Sequence, residues 1–235
     1  KIHLMHTLLI TPLIDELTPL LEAFNAMGYV SVSKTIGNLQ LYEITELKLL
    51  LAQGGHGKTQ FGIQTQHLLD LLQDISLVIC AGAAGGISHR VNIGDIVVAI
   101  STIEHDYNIK FAKRPLPDFA GSLLHIEKIK SLLPLSINDF RIHFGIVASG
   151  DEDVIERARA EELHNLTNAL AVAWEGAGGA RAARFMGIPY LEIRGLTDVA
   201  DSDAPIVFDE NLKIIMPRIA SLVVNLQKGS LQSAI

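Results

Sequence analysis

The chain has 235 residues, of which 49% are hydrophobic and 19% charged; that is enough apolar material for one large α/β domain with a sizeable core. A formal net charge of −7, with no basic residues gathered into a stripe, argues against nucleic acid or an anionic membrane as partner and suits a small neutral ligand. The single cysteine, Cys80, excludes an internal disulfide, and neither an 18-residue uninterrupted apolar stretch nor a cleavable signal pattern is present, so a soluble chain in the reducing cytoplasm is expected. A subunit this apolar is also expected to bury part of its surface against a second copy.

In chain order, Leu4 to Ile10 reads as a strand ending at Thr11-Pro12, and Glu16, Leu17, Leu20, Leu21 and Phe24 fall at helical spacing. Two alternating runs, Tyr29 to Ile36 and Leu39 to Ile44, flank Gly37-Asn38, a hairpin signal. Leu47 to Ala52 is the next strand, and Gly54-Gly55-His56-Gly57 leads into a helix ending near Leu72. Strands are expected at Ser76 to Ala81, Gly94 to Ser101, Arg141 to Ala148, Ala169 to Trp174 and Pro189 to Gly195. Helices are expected at Arg157 to Leu166, Gly176 to Met186 and Asp209 to Leu226, and Lys110 to Phe119, with Pro115 and Pro117, is the most loop-like segment. Strands alternating with helices after an initial hairpin predict an α/β fold with a mixed, largely parallel central sheet flanked by helices. The domain is expected to run from residue 1 to 227, leaving a polar tail at 228–235 that is expected to be disordered.

Two glycine-rich segments invite a nucleotide reading. Gly57-Lys58-Thr59 looks like the end of a phosphate-binding P-loop, but the position that must be the first glycine is Ala52, so a triphosphate site is not supported. Ala81-Gly82-Ala83-Ala84-Gly85-Gly86 follows a buried strand without dinucleotide spacing, and its glycines are expected to let backbone N–H groups approach a ligand closely. In Leu191-Glu192-Ile193-Arg194-Gly195-Leu196-Thr197-Asp198-Val199-Ala200-Asp201 an apolar strand stops at charged residues. Ligand crevices of parallel sheets lie outside the strands' carboxyl ends, which is where Arg194 and Asp198 would emerge. On residues alone the lesser reading of Asp198 is a cap of the next helix.

Arg194-x-x-Thr197-Asp198-x-Ala200-Asp201, with Gly94-Asp95-Ile96-Val97-Val98 and Phe208-Asp209-Glu210, resembles the signature of the purine nucleoside phosphorylase and nucleosidase superfamily. The resemblance is greatest to its methylthioadenosine/S-adenosylhomocysteine nucleosidase branch, and it runs over most of the chain. It implies cleavage of the N-glycosidic bond of an adenosine-like nucleoside, with no cofactor and no metal, in a homodimer. By the same resemblance, Asp198 is the general acid beside purine N7, Glu16 the base that activates water, and Arg194 the group that holds Glu16 and the water. Glu175 would bind the ribose hydroxyls, with Trp174 as the ribose floor and Gly82 and Ala83 beneath the sugar. Thr197 joins them, Asp153 and Val154 fall on the purine loop, Phe208 falls at the 5′-substituent pocket, and Phe111 reaches a neighbouring subunit's site.

Three departures bear on substrate choice. Ala83 stands where the family has Ser, Ala173 replaces a Glu, and Asp153 stands where an aromatic residue would stack on the base. A phosphorylase of the same fold is the nearest rival, yet no Lys or Arg occurs between Ile2 and Ser33 or between Gln60 and His89, where phosphate would need cationic donors. A catalytically weak nucleoside-binding protein is a third reading.

Overall fold

A computed structural model describes residues 5–108, 110–112, 114–132, 136–137 and 140–232. β1 (His6–Thr11) leads into α1 (Ile14–Ala26), and the hairpin of β2 (Val32–Ile36) and β3 (Leu39–Ile44) passes through a single 3-10 turn to β4 (Leu49–Gln53) and α2 (Lys58–Leu71). Next come β5 (Ile75–Gly86), β6 (Ile96–Glu104), β7 (Asp118–Ala120), α3 (Leu123–Leu132), β8 (Ser136–Ile137) and β9 (Phe140–Ser149). The chain continues through α4 (Arg157–Thr167), β10 (Ala169–Ala173), α5 (Gly176–Phe185), β11 (Tyr190–Asp198) and α6 (Ala204–Gln232).

The strands follow the order β10-β9-β6-β11-β5-β1-β4-β3-β2. The central pairings β4-β1-β5-β11 and β6-β9-β10 are parallel, and β11 meets β6 antiparallel. The mixed, largely parallel sheet expected from the sequence is therefore present. Its central strands are buried on both faces, so neighbouring residues enter different cores. Leu9, Ile79, Leu191 and Ile193 pack with α1 and α6, whereas Leu8, Ile10, Val78, Cys80 and Tyr190 pack with α2 and α5.

The sequence differs from the structure most at β5. Where the strand was expected to end at Ala81, it continues to Gly86 and its end pairs antiparallel with β10, Gly86 opposite Ala171 and Gly85 opposite Val172. Small residues make this possible, since a Cβ on Gly85 would lie 2.7 Å from Asp198 Oδ1 and one on Gly86 3.2 Å from the Val91 side chain. The extra pairing curls the sheet back on itself, bringing the carboxyl ends of β9 and β10 to those of β1, β4, β5 and β11. Helix α3 went unread, since only Ile126 and Ile129 are buried while Leu123 and Leu124 stand exposed, a stripe too short to register as periodicity. Helix α6 extends five residues before the expected start and continues to Gln232, so 228–232 are helical rather than a disordered tail; 233–235 lie outside the described residues.

The glycines that open α5 each meet a specific neighbour. A Cβ on Gly176 would overlap the Glu192 carboxylate, one on Gly178 the backbone carbonyl of Lys58, and one on Gly179 would come within 2.8 Å of the Phe61 ring. Across this crossing a Cβ on Gly62 of α2 would lie 3.2 Å from the Gly178 carbonyl oxygen. Gly178→Ala therefore forces α2 and α5 apart, at a cost of about 1–3 kcal/mol; a calorimetric Tm several degrees below wild type is expected, and an unchanged Tm would show that the crossing has slack.

Candidate active site

A cavity of about 430 Å³ opens where the strand ends converge. Pro12 and Leu13 after β1, Glu16 on α1, and Ala83, Ala84 and Gly85 of β5 form one wall. Asp153, Val154 and Ile155 after β9, Ala173, Trp174 and Glu175 at the end of β10, and Thr197 and Asp198 of β11 form others, and Phe208 closes it from α6. Glu16, Glu175 and Asp198 thus share one cavity despite their separation in sequence. Phe111 is fully exposed in the segment before β7 and lines none of it.

Glu16 is only 2% exposed, although it stands in the first turn of a helix, where a carboxylate is ordinarily solvated. Its Oε2 accepts the Leu13 N–H at 2.8 Å, closing the first turn of α1, and its Oε1 accepts the Ala83 N–H at 2.7 Å from β5. Burial, reinforced by the nearby Glu175 charge, raises the Glu16 carboxyl to about 7. A carboxyl balanced near neutrality exchanges a proton readily at physiological pH.

Glu175, at the amino end of α5, accepts the Gly57 N–H through Oε1 at 3.2 Å. Its Oε2 is 3.6 Å from Arg194 Nη2, and its Oε1 is 3.6 Å from His56 Nδ1. Burial raises its pKa above the ordinary carboxylate range. Asp198 Oδ2 accepts the Thr197 hydroxyl and Oδ1 the Ala200 N–H, each at 2.8 Å. It therefore braces the left-handed turn at Ala200, φ +52°, and does not cap α6, which starts beyond the turn formed by Asp201 and Asp203. Burial raises Asp198 as well, favouring a proton held over the cavity.

Arg194 and Gly82, both expected to touch a ligand, stand one layer behind. Arg194 is 1% exposed and does not line the cavity; its Nε donates to Glu192 Oε1 at 2.7 Å and its Nη1 to the Ala83 carbonyl at 3.2 Å. A Cβ on Gly82 would overlap Glu16 Oε1 and lie 3.1 Å from Arg194 Nη1, so this glycine makes room for those two side chains to approach rather than for substrate.

Two residues escaped the sequence reading. His56 lines the cavity with its ring 4.2 Å from that of Trp174, centroid to centroid, and 38° tilted. Only its neighbouring glycines drew notice, as the lead into α2. Glu192 is fully buried against Arg194; a charged residue between Leu191 and Ile193 in an otherwise apolar strand was the signal available. Lys58 of the P-loop lookalike instead bridges Glu104, at 2.9 Å, and Asp106, so its ammonium is neutralised by protein. Among the described residues no Lys or Arg lines the cavity, and the Ala83 N–H that could serve an anion is occupied by Glu16. The cavity thus presents carboxyls shifted upward by burial and, among the described residues, no Lys or Arg to meet phosphate.

The family model described as the phosphorylase superfamily matches residues 7–228. A 5′-methylthioadenosine/S-adenosylhomocysteine nucleosidase of Glaesserella parasuis is 28% identical over 211 residues, covering 84% of this chain and 90% of the relative. An aminodeoxyfutalosine nucleosidase of Helicobacter pylori is 29% identical over 205 residues, covering 85% and 87%. The solved structure of the 5′-methylthioadenosine/S-adenosylhomocysteine nucleosidase of S. pneumoniae with a transition-state inhibitor superposes with a TM-score of 0.84 at 25% identity, covering 96% of this chain and 100% of that one.

A Glu16 pKa raised from 4.5 to about 7 makes this carboxyl a liability to the fold as it ionises. Below pH 4.5 it is protonated in both states and costs nothing; between there and about 7 the unfolded chain loses the proton first, and above 7 the full cost of a few kcal/mol is present. The stability of Glu16→Gln relative to wild type should therefore improve steadily as pH rises from about 4.5 to about 8. Denaturant midpoints across that range give the difference, and a flat profile would mean that Glu16 ionises as freely as in water.

Proposed function

The chain belongs to the phosphorylase superfamily, and from that membership we propose that it is a purine nucleosidase, hydrolysing the N-glycosidic bond of an adenosine-like nucleoside, with 5′-methylthioadenosine and S-adenosylhomocysteine as first candidates. The observation that carries the reading is that Asp198, raised above the ordinary carboxylate range by burial, and Glu16, raised to about 7, face one cavity that no Lys or Arg lines among the described residues. The nucleosidases named above, similar along most of their length, support it.

In the proposed reaction Asp198 gives its proton to N7 of the purine, so the base departs neutral and positive charge builds on the sugar. Ionised Glu16 takes a proton from water, whose oxygen bonds to C1′. Adenine and the free sugar leave, Glu16 releases the proton it took to solvent, and solvent returns one to Asp198. Glu175 accepts hydrogen bonds from the ribose hydroxyls, Ala83 underlies the sugar, and Trp174 lies beneath it and compensates for the missing aromatic at Asp153. Thr197 fixes the Asp198 carboxyl, Val154 contacts the base and Phe208 the 5′ substituent, while Arg194 restrains Glu16 and Glu175 from behind. A homodimer, with exposed Phe111 contributing to the neighbouring site, and a cytoplasmic location in keeping with the lone reduced Cys80 complete the proposal. Among the described residues no helix is long and apolar enough to cross a membrane.

Adenine release from adenosine, 5′-methylthioadenosine and S-adenosylhomocysteine should proceed equally with and without phosphate and yield free sugar; a sugar 1-phosphate product, or dependence on phosphate, would move the chain to phosphorolysis. Asp198→Asn, folded by circular dichroism, should lose at least about a hundredfold in kcat, since a general acid contributes typically about 10² to 10⁴. Retention of near-normal turnover would reduce Asp198 to a brace for the Ala200 turn.

A further inference from the structure

Arg194 is the largest of the fully buried side chains, and a guanidinium without water requires compensating charge and hydrogen bonds. The cavity carboxylates do not provide the closest contact: Glu175 stands 3.6 Å away. That contact is to Glu192, two residues earlier on the same face of β11, at 2.7 Å. Glu192 is completely buried and does not line the cavity. Its second oxygen accepts the hydroxyl of Thr102 on β6, and the space it occupies exists because residue 176 of α5 has no side chain. Three elements thus accommodate a carboxylate that meets no substrate.

The other polar groups on that side carry no charge. Burial pushes the Cys80 thiol up and keeps it protonated, although its Sγ accepts Arg194 Nη2 at 3.4 Å. Burial likewise raises Tyr190, whose hydroxyl donates to the Gly176 carbonyl at 2.8 Å. Glu192 alone therefore balances Arg194 from behind. Toward the cavity the guanidinium faces Glu175 of α5 and Glu16 of α1, and Glu16 is otherwise met by the N–H groups of Leu13 and Ala83.

We propose that Glu192 is a positioning residue for the reaction: by neutralising and orienting Arg194 from the side away from the cavity, it leaves Glu16 free to take a proton from water instead of being locked as the guanidinium's ion-pair partner. The inference rests on the hydrolase reading above. Removing the Glu192 charge while keeping its shape places the full Arg194 charge on Glu16 and Glu175. An opposite charge within about 4–6 Å typically lowers a carboxyl by about 1–3 pH units.

The test pairs Glu192→Gln, which keeps an acceptor for Arg194 Nε, with Gly176→Ala, whose Cβ displaces the carboxylate. In each folded variant the Glu16 carboxyl is titrated by carbon-13 NMR without substrate, and the pH profile of kcat/KM is recorded. The proposal expects the Glu16 titration and the acid limb of the profile to fall together by about one unit or more. A Glu16 titration unmoved in Glu192→Gln, or failure of both variants to fold, overturns it by assigning Glu192 to structure alone. Wild-type inactivity on every nucleoside would remove the hydrolase reading instead, and the substrate-free titration would still decide what Glu192 does to Glu16.

Discussion

Burying a guanidinium at the carboxyl end of β11 is the constraint around which the rest of the site is arranged. Arg194 has almost no contact with water, and its charge can be tolerated only where carboxylates and carbonyls surround it. Glu192 lies beside it on the strand, Glu175 reaches it from the start of α5, and Gly82 lets Glu16 come close from α1. Replacing any of these would leave a buried charge short of a partner. The same group therefore couples α1, α5, β5 and β11, which have no local reason to meet.

Curling of the sheet makes that convergence possible. If β5 had ended in a turn after Ala81, the Ala83 N–H would not be held in the strand to receive Glu16, and β10 would have no β5 edge to pair with. Because β5 instead continues to Gly86, Trp174 and Glu175 are delivered to the cavity already occupied by Glu16 and Asp198. The glycines at the start of α5 serve the same end: they set α5 against α2 at backbone distance and leave room for Glu192.

The electrostatics of the cavity separate it from an anion site. Its carboxyls are shifted upward by burial, so water exclusion favours their neutral forms. A dianion would meet those groups with no Lys or Arg, among the described residues, lining the cavity to offset them. The Lys that a motif search selects, Lys58, is held by Glu104 and Asp106. The resemblance to a phosphate loop comes from glycines of the turn before α2, where Gly55 and Gly57 take φ +84° and +81°.

Local patterning carried a large part of this protein. Periodicity located β1, the β2–β3 hairpin, β9, β11 and most helices to within a few residues, since each buries a continuous apolar face that shows in composition. The motif around Asp198 and the resemblance it carries named Glu16, Glu175 and Asp198, which share the cavity. What local sequence could not determine were matters of space between distant segments. The segment from Ala81 to Gly86 is turn-like by composition, and only pairing with its neighbours, β10 among them, makes it strand. Arg194 and Gly82 were expected at the ligand and stand behind it, because strand alternation and neighbouring bulk decide which way a side chain points. His56 and Glu192 carried no local pattern, and they acquire meaning only from Trp174 and Arg194, the side chains packed against them. Most strands and helices, and the chemical groups on offer, were legible locally; which of those groups lose water and face one another was settled only by packing, because burial and charge pairing are properties of the folded chain.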